Sequence, residues 1–281
     1  MSTTINAVQK VKSSFPVRNI KFDFDPSTRY WFDQDPLYSH FLNTLSAITA
    51  QGELFLIRML RTLRERITDP VLQADISAFI GQEAMHAKEH TRYHRYADLN
   101  DIDIETFERQ LIQIYSLLDR ALPLMDRMAI GCAIEHCNGT FGAELLRNNT
   151  WNQKMVGPLR DLWLWHAVEE NEHKAVFFDA YHAAGGGYIR RMVWMVLGCS
   201  TFAGLMTYGT ARLLVADKKF LSKKHLQSIS QITHPKKGLF NITVIKEFLD
   251  YVRPSFHPFD YDTKQLEQHW HKVLNLENQQ N

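Results

Sequence analysis

The sequence predicts an all-α protein, a four-helix bundle extended by additional C-terminal helices. Three observations carry this. Residues 165–174 read W-H-A-V-E-E-N-E-H-K, which puts His166, Glu170 and His173 at i, i+4 and i+7, stacked on one helical face. Glu83-Ala84-Met85-His86 repeats the Glu-x-x-His spacing inside a second helical, apolar pattern. Each of these units is preceded by a glutamate in another apolar stretch, Glu53 in Q-G-E-L-F-L-I and Glu135 in C-A-I-E-H-C-N-G. The order Glu, Glu-x-x-His, Glu, Glu-x-x-His is the ligand order of a di-metal carboxylate bundle. One Glu-x-x-His alone is common on solvated helices, so the signal lies in the doubled unit.

Taken in order, a single domain over 1–281 divides into an arm (1–36), four ligand-bearing helices (37–183), and an apolar helix with a C-terminal helical extension (187–281). The arm is punctuated by Pro16, Pro26 and Pro36 and is rich in aromatics; it packs on the bundle or is a disordered leader. The first helix starts near Leu37, with Phe41, Leu45, Ile48, Leu56 and Leu60 at helical spacing and Glu53 inside their stripe. A carboxylate there needs a metal or a partner, and Arg58 is the alternative partner. Asp69-Pro70 caps and opens the second helix, which runs to about Tyr96 and carries Glu83 and His86. His90 reads as a hydrogen-bonded or surface histidine, with a ligand or outer-shell partner the alternative, and Glu89 as solvated. Residues 98–121 form a linker with a short helix.

The third ligand helix spans Leu124 to Asn148. Gly131, Cys132, Gly139 and Gly142 near Glu135 allow either close packing or an open volume beside the metals, and His136 reads as a core or supporting histidine. The fourth runs from about Pro158 to Ala183 and is stopped by Gly185-Gly186-Gly187. Its phase with His173 favours Glu170 as the inward carboxylate, with Glu169 the alternative. Residues 192–211 carry no charge and would reach ~30 Å as a helix. Three readings stay open for them: a buried fifth helix, a wall or mouth for an apolar ligand that touches membrane, and a true span. Residues 217–234 read as a basic, solvated helix, and an amphipathic helix closes the chain from about Thr263. His257 and His269 have no partners that would make a second metal site.

Composition excludes several classes. With 32 basic and 31 acidic residues the net charge is +1, which gives no general field for nucleic acid. Cys132, Cys137 and Cys199 form no C-x-x-C pair and no even framework, which favours a reduced compartment. The polar N-terminus shows no signal pattern, so a cytoplasmic protein is expected, with membrane-peripheral placement left open.

Glu53, Glu83, His86, Glu135, His166, Glu170 and His173 give roughly three to four ligands per ion and leave positions for water, dioxygen or substrate. Oxygen-rich donors suit iron first and manganese second, and zinc less, since its structural sites favour cysteine. Four clustered glutamates would repel without cations, so the metals are expected to help hold the core folded.

On these residues the chain resembles the ferritin-like di-iron oxygenases, and His166, four before Glu170, is similar to the arylamine N-oxygenase branch. With R-Y-W-F, G-Q-E-A-M-H-A-K-E-H, L-W-H-A-V-E-E-N-E-H-K and R-P-S-F-H-P, it also resembles over nearly its whole length the bacterial family labelled "predicted metal-dependent hydrolase". The resemblance implies that the same seven residues are the ligands. It also implies an arylamine substrate, whereas the uncharged 192–211 segment points to a greasier one. The expected function is an oxidase or oxygenase that uses two metal ions and dioxygen on an apolar or lipid-like molecule, with an external electron donor. Metal-dependent hydrolysis and non-catalytic iron handling are the rivals. A homodimer and a peripheral membrane contact through 192–211 are the partner options left open.

Overall fold

A computed structural model describes residues 12–24, 29–99, 101–219 and 223–279 of the chain. Among these the fold is all-α with no strand, and an isolated bridge joins Phe32 to Met155. Helix α1 (Pro36–Leu63) starts where Asp35 accepts hydrogen bonds from Leu37 N and Tyr38 N, and α2 (Pro70–Asp98) starts in the same way at Asp69. In both, the cap meets orphan amides and a proline fills the first turn, where no N–H is needed. Helix α3 (Glu105–Ala121) follows, then α4 (Leu124–Arg147), the short α5 (Asn149–Asn152), α6 (Gly157–His173) and α7 (Val176–Ala183). The chain continues as α8 (Tyr188–Ala216), α9 (Lys223–Ile232), α10 (Ile242–Asp250) and α11 (Lys264–Val273).

The bundle consists of two helix pairs, α1 on α2 and α4 on α6, closed by contacts of α1 with α4 and of α2 with α6 and α7. Helix α8 crosses the seam between α1 and α4, and α3 covers α1. Small residues set the close approaches. A Cβ at Gly131 would lie 2.3 Å from the Phe177 ring, and one at Gly142 would lie 3.2 Å from Ala167 O. The glycines near Glu135 thus serve mainly close helix packing.

The arm packs on the bundle. Phe15, Phe22, Phe24, Trp31 and Phe32 are buried, Phe22 lies against Trp165, and the Arg18 side chain is driven inward. Its first stretch, 1–11, and residues 25–28 lie outside the described residues.

Four expectations are corrected. The fourth ligand helix is two pieces: the ladder is interrupted at Lys174–Ala175, which keep right-handed helical dihedrals so that α7 continues in a similar sense. The linker over 98–121 is mostly one helix of 17 residues, whose apolar stripe (Phe107, Leu111, Tyr115) buries on α1. Glu89 is buried, and accepts from Phe22 N and Arg92 because the arm covers that face of α2. Residues 192–211 are not a buried helix: α8 packs one side on α1 and α4 and exposes Val193, Val196, Leu197 and Tyr208 on the other. By length and composition α8 is apolar enough to cross a membrane.

Candidate metal centre

Side chains from α1, α2, α4 and α6 converge in the bundle interior. Glu53, His86, His166 and Glu170 form one group and Glu83, Glu135, Glu170 and His173 a second, all buried, and within each group the candidate ligand atoms lie within 4.8 Å of one another. All seven residues singled out from the sequence are thus brought together, with Glu170 common to both groups. His173 Nε2 lies 3.1 Å from Glu83 Oε1, 3.3 Å from Glu170 Oε2 and 3.6 Å from Glu135 Oε2. His166 Nε2 lies 3.0 Å from Glu170 Oε1, and His86 Nδ1 is 3.7 Å from both Glu53 Oε1 and Glu170 Oε1.

The donor set fits cations on a direct structural test. Neither oxygen of Glu53 accepts a hydrogen bond, and His86 Nδ1 has no partner, although all three atoms are buried. Buried polar atoms are almost always satisfied, so orphaned acceptors facing one another mark the place of a positive group. Arg58, the alternative partner of Glu53, is turned away to Asp119.

The electrostatics agree. Burial, then repulsion from Glu83 and Glu170, holds the Glu53 carboxyl well above its ordinary range. Burial and Glu170 do the same to Glu135 and, less strongly, to Glu83. Burial would also raise Glu170, but His173 and His166 together pull it well below. Burial opposes a charge on His173, yet Glu170 and Glu83 raise it well above the usual imidazole value. The metal-free core therefore holds its charge in check with protons, which bound cations would displace.

A ring of outer partners fixes the histidines. His86 Nε2–H donates to Glu169 Oε2 at 3.0 Å, which leaves the Nδ1 lone pair aimed inward. Burial pushes Glu169 up to about 8 against the pull of Arg18, which donates to it at 2.8 Å and also grips Glu172. Burial and His166 hold His86 well below its normal value, so it stays neutral. His173 Nδ1–H donates to Gln82 Oε1 at 2.9 Å, and the Gln82 amide is oriented by donating to Pro16 O and Glu172 Oε2. His166 Nδ1 is 3.2 Å from His90 Nε2, His90 Nδ1 is 2.7 Å from Ser46 Oγ, and Ser46 Oγ is 2.8 Å from His94 Nε2. A consistent set of donors runs outward from His166, so His90 is one of its supports and no surface residue.

Sequence reasoning missed Gln82, Ser46, His94, Arg18 and the supporting role of Glu169. Some signals were present. His86, His90 and His94 recur every four residues on α2, and Ser46 lies seven before Glu53, two turns along the same face. Arg18, in the arm, had no periodicity to betray it. His136 is a core residue, stacked on Tyr251 with Nε2 donating to Phe248 O.

Two apolar cavities adjoin the centre. One of about 480 Å³ reaches His166 between Phe202, Met206, Val244 and Phe248; another of about 160 Å³ reaches Glu53 beside Ile130 and Trp194. Leu45, Thr49, Cys137, Asn138, Cys199 and Phe202 wall both. A separate polar recess of about 30 Å³, with Asn171, Lys174 and Thr263 on its wall, reaches Glu135.

A family model described as "predicted metal-dependent hydrolase" matches residues 16–262, a span that includes all seven converging side chains. The chain belongs to this family. No curated protein and no solved structure matches it. Membership in the predicted metal-dependent hydrolases agrees with the resemblance read from the sequence, and the two buried Glu/His groups are where this member could hold its metal.

Proposed function

We propose that Glu53, Glu83, His86, Glu135, His166, Glu170 and His173 hold two ions, iron or manganese, and that the centre oxidises an apolar molecule with dioxygen. The observation that carries this is the pairing of an oxygen-rich, cysteine-free donor set with apolar cavities that end on two of its members, His166 and Glu53. When bound, the metal pair supplies the electrons for dioxygen reduction, replenished by an external donor. The protein's own part is positioning and exclusion. Glu169 and Gln82 hold His86 and His173 in the tautomers that present a lone pair inward. Phe202, Met206 and Phe248 keep water from the side where the substrate lies, and the polar recess at Glu135 gives protons and water a separate way in. The lining favours a hydrocarbon-rich substrate over a more polar arylamine.

The family description favours a second reading, hydrolysis, in which the same pair of ions lowers the pKa of a water. Metal analysis of freshly purified protein, followed by anaerobic reduction and exposure to air, separates the two. Two iron or manganese ions per chain and a transient visible absorption with oxygen uptake support oxidation. A spectrum unchanged by air, with zinc-supported ester or amide cleavage, would replace it by hydrolysis.

A further inference from the structure

Helix α10 is built inside out. Its mid-helix carboxylate, Glu247, is buried against Arg147 and its terminal Asp250 is bonded to Tyr261, whereas Ile242, Ile245 and Leu249 are exposed, followed by exposed Val252. Helix α8 has the same outward stripe, from Ile189 through Val193 and Val196 to Tyr208 and Val215. The two helices meet at one end, where Tyr188 Oη donates to Val252 O at 2.7 Å and buried Arg191 donates to Tyr251 O. Farther along they form facing walls of the 480 Å³ cavity, so exposed Ile245 and Leu249 stand at its rim. Apolar residues scattered singly on a surface need no explanation; two adjoining stripes do.

Charge says what covers them. From the start of α8 to the end of α10, residues 188–250 hold ten of the 32 Lys and Arg but only three of the 31 Asp and Glu, so this segment carries +7 while the rest of the chain carries −6. All three acids are engaged: Asp217 with Arg29, Tyr30 and His40, Glu247 with Arg147, and Asp250 with Tyr261. Arg190 and Arg212 are paired with Asp126 and Asp103, but Lys218, Lys219, Lys236, Lys237 and Lys246 are exposed. A second copy placed on this face would set +7 against +7. An anionic bilayer offers both an apolar interior and complementary charge.

We propose that the outer faces of α8 and α10 dock on an anionic membrane surface, with the cavity mouth turned towards the acyl chains. Because the inner side of α8 is packed on α1 and α4, the helix lies on the membrane and does not cross it. That the docked face admits substrate rests on the function proposed above; the docking does not, since it needs neither metal nor turnover.

The test is flotation of the full chain with phosphatidylcholine vesicles, with and without about 30% phosphatidylglycerol. The chain is expected to float with the anionic vesicles, and the bound fraction to fall at least about tenfold in the Val196→Glu/Leu249→Glu variant. Both positions are exposed, at 66% and 57%, so the substitutions leave the core intact; Leu117→Glu on α3, exposed at 59%, is expected to bind as the parent does. Ala203→Trp, at the mouth, is expected to gain fluorescence that brominated acyl chains quench, and its escape from quenching would overturn the orientation. Failure of the parent chain to float, or undiminished flotation of the double variant, overturns the docking. So does self-association that the double substitution abolishes, which would assign the face to a second copy, or retention on duplex DNA without vesicle binding.

Discussion

Glu53→Gln is expected to stabilise the metal-free protein at pH 8 and to weaken the metal-loaded one. The folded chain raises the Glu53 carboxyl well above 4.5, through burial and the charges of Glu83, Glu170 and Glu135. A group raised in this way binds more protons folded than unfolded. Its contribution is therefore complete below the unfolded value and is lost as pH rises towards the folded one. At pH 8, about 3.5 pH units above the ordinary value, the loss at ~1.4 kcal/mol per pH unit reaches no more than about 5 kcal/mol. At pH 5 the same bound is below about 1 kcal/mol. Glutamine keeps the shape and removes the ionisation, and the amide leaves polar atoms unpaired much as the protonated carboxyl does. The expected gain at pH 8 is at most about 5 kcal/mol, or up to roughly 10 °C in Tm for a chain of this size, fading towards pH 5. Thermal unfolding of chelated protein by circular dichroism at the two pH values measures this. With metal present the sign reverses, because the proposed group of Glu53, His86, His166 and Glu170 loses a donor. No gain at pH 8, or a gain that does not shrink at pH 5, would show that Glu53 is satisfied by the protein alone.

Glu170 belongs to both groups, so Glu170→Gln is expected to abolish binding of both ions, whereas Glu53→Gln and Glu135→Gln each leave one; elemental analysis gives the counts. Arg18→Ala leaves the buried Glu169 without its cation and half-buried Glu172 with only Gln82 and His271, and is expected to cost about 3–5 kcal/mol in denaturant unfolding. Gly131→Ala would put a methyl 2.3 Å from the Phe177 ring, and an overpacking loss of about 1–3 kcal/mol is expected in the same assay. The metal-free protein is expected to lose stability from pH 7 to pH 9. Above their ordinary values of 4.5 for the carboxyls and 6.5 for the imidazole, the raised Glu53, Glu83, Glu135 and His173 hold protons in the folded chain that the unfolded chain has released, so rising pH costs stability, while burial, aided by His166, already keeps His86 and His90 neutral.

What could be read from the chain alone follows from how helices carry information. Glu53, Glu83 and Glu135 each interrupt an apolar stripe, and Glu-x-x-His recurs because i and i+3 share a face, so the convergence and the four helices that make it were visible. Caps at Asp69 and the stop at Gly185 were legible for the same local reason. Arg18 and Glu89 were not, because what buries them is an irregular arm whose path only tertiary packing decides. The 192–211 segment misled for a different reason: lack of charge predicts exclusion from water, but cannot say whether protein or another apolar phase excludes it. Helix α10 adds to this, since Glu247 looks like a solvent-facing residue until Arg147 is placed beside it.

The arrangement of cations decides between a metal centre and an ordinary buried polar core. A bundle that merely tolerated four interior glutamates would neutralise them with arginine or lysine. Here the candidates stop one layer short. Arg18 ends on Glu169 and Glu172, Lys174 donates to Tyr261 O and Thr263 Oγ1, Arg147 pairs with Glu247, and Arg58 leaves for Asp119. Inside that layer, among the described residues, the only groups able to balance Glu53, Glu83, Glu135 and Glu170 are His86, His166 and His173, and Glu169 and Gln82 spend the outer nitrogens of two of them on hydrogen bonds that turn lone pairs inward. Lone pairs facing carboxylate oxygens repel one another. That geometry is favourable only with protons or cations between them, and at neutral pH divalent cations, held by seven donors at once, compensate the charge better than protons can.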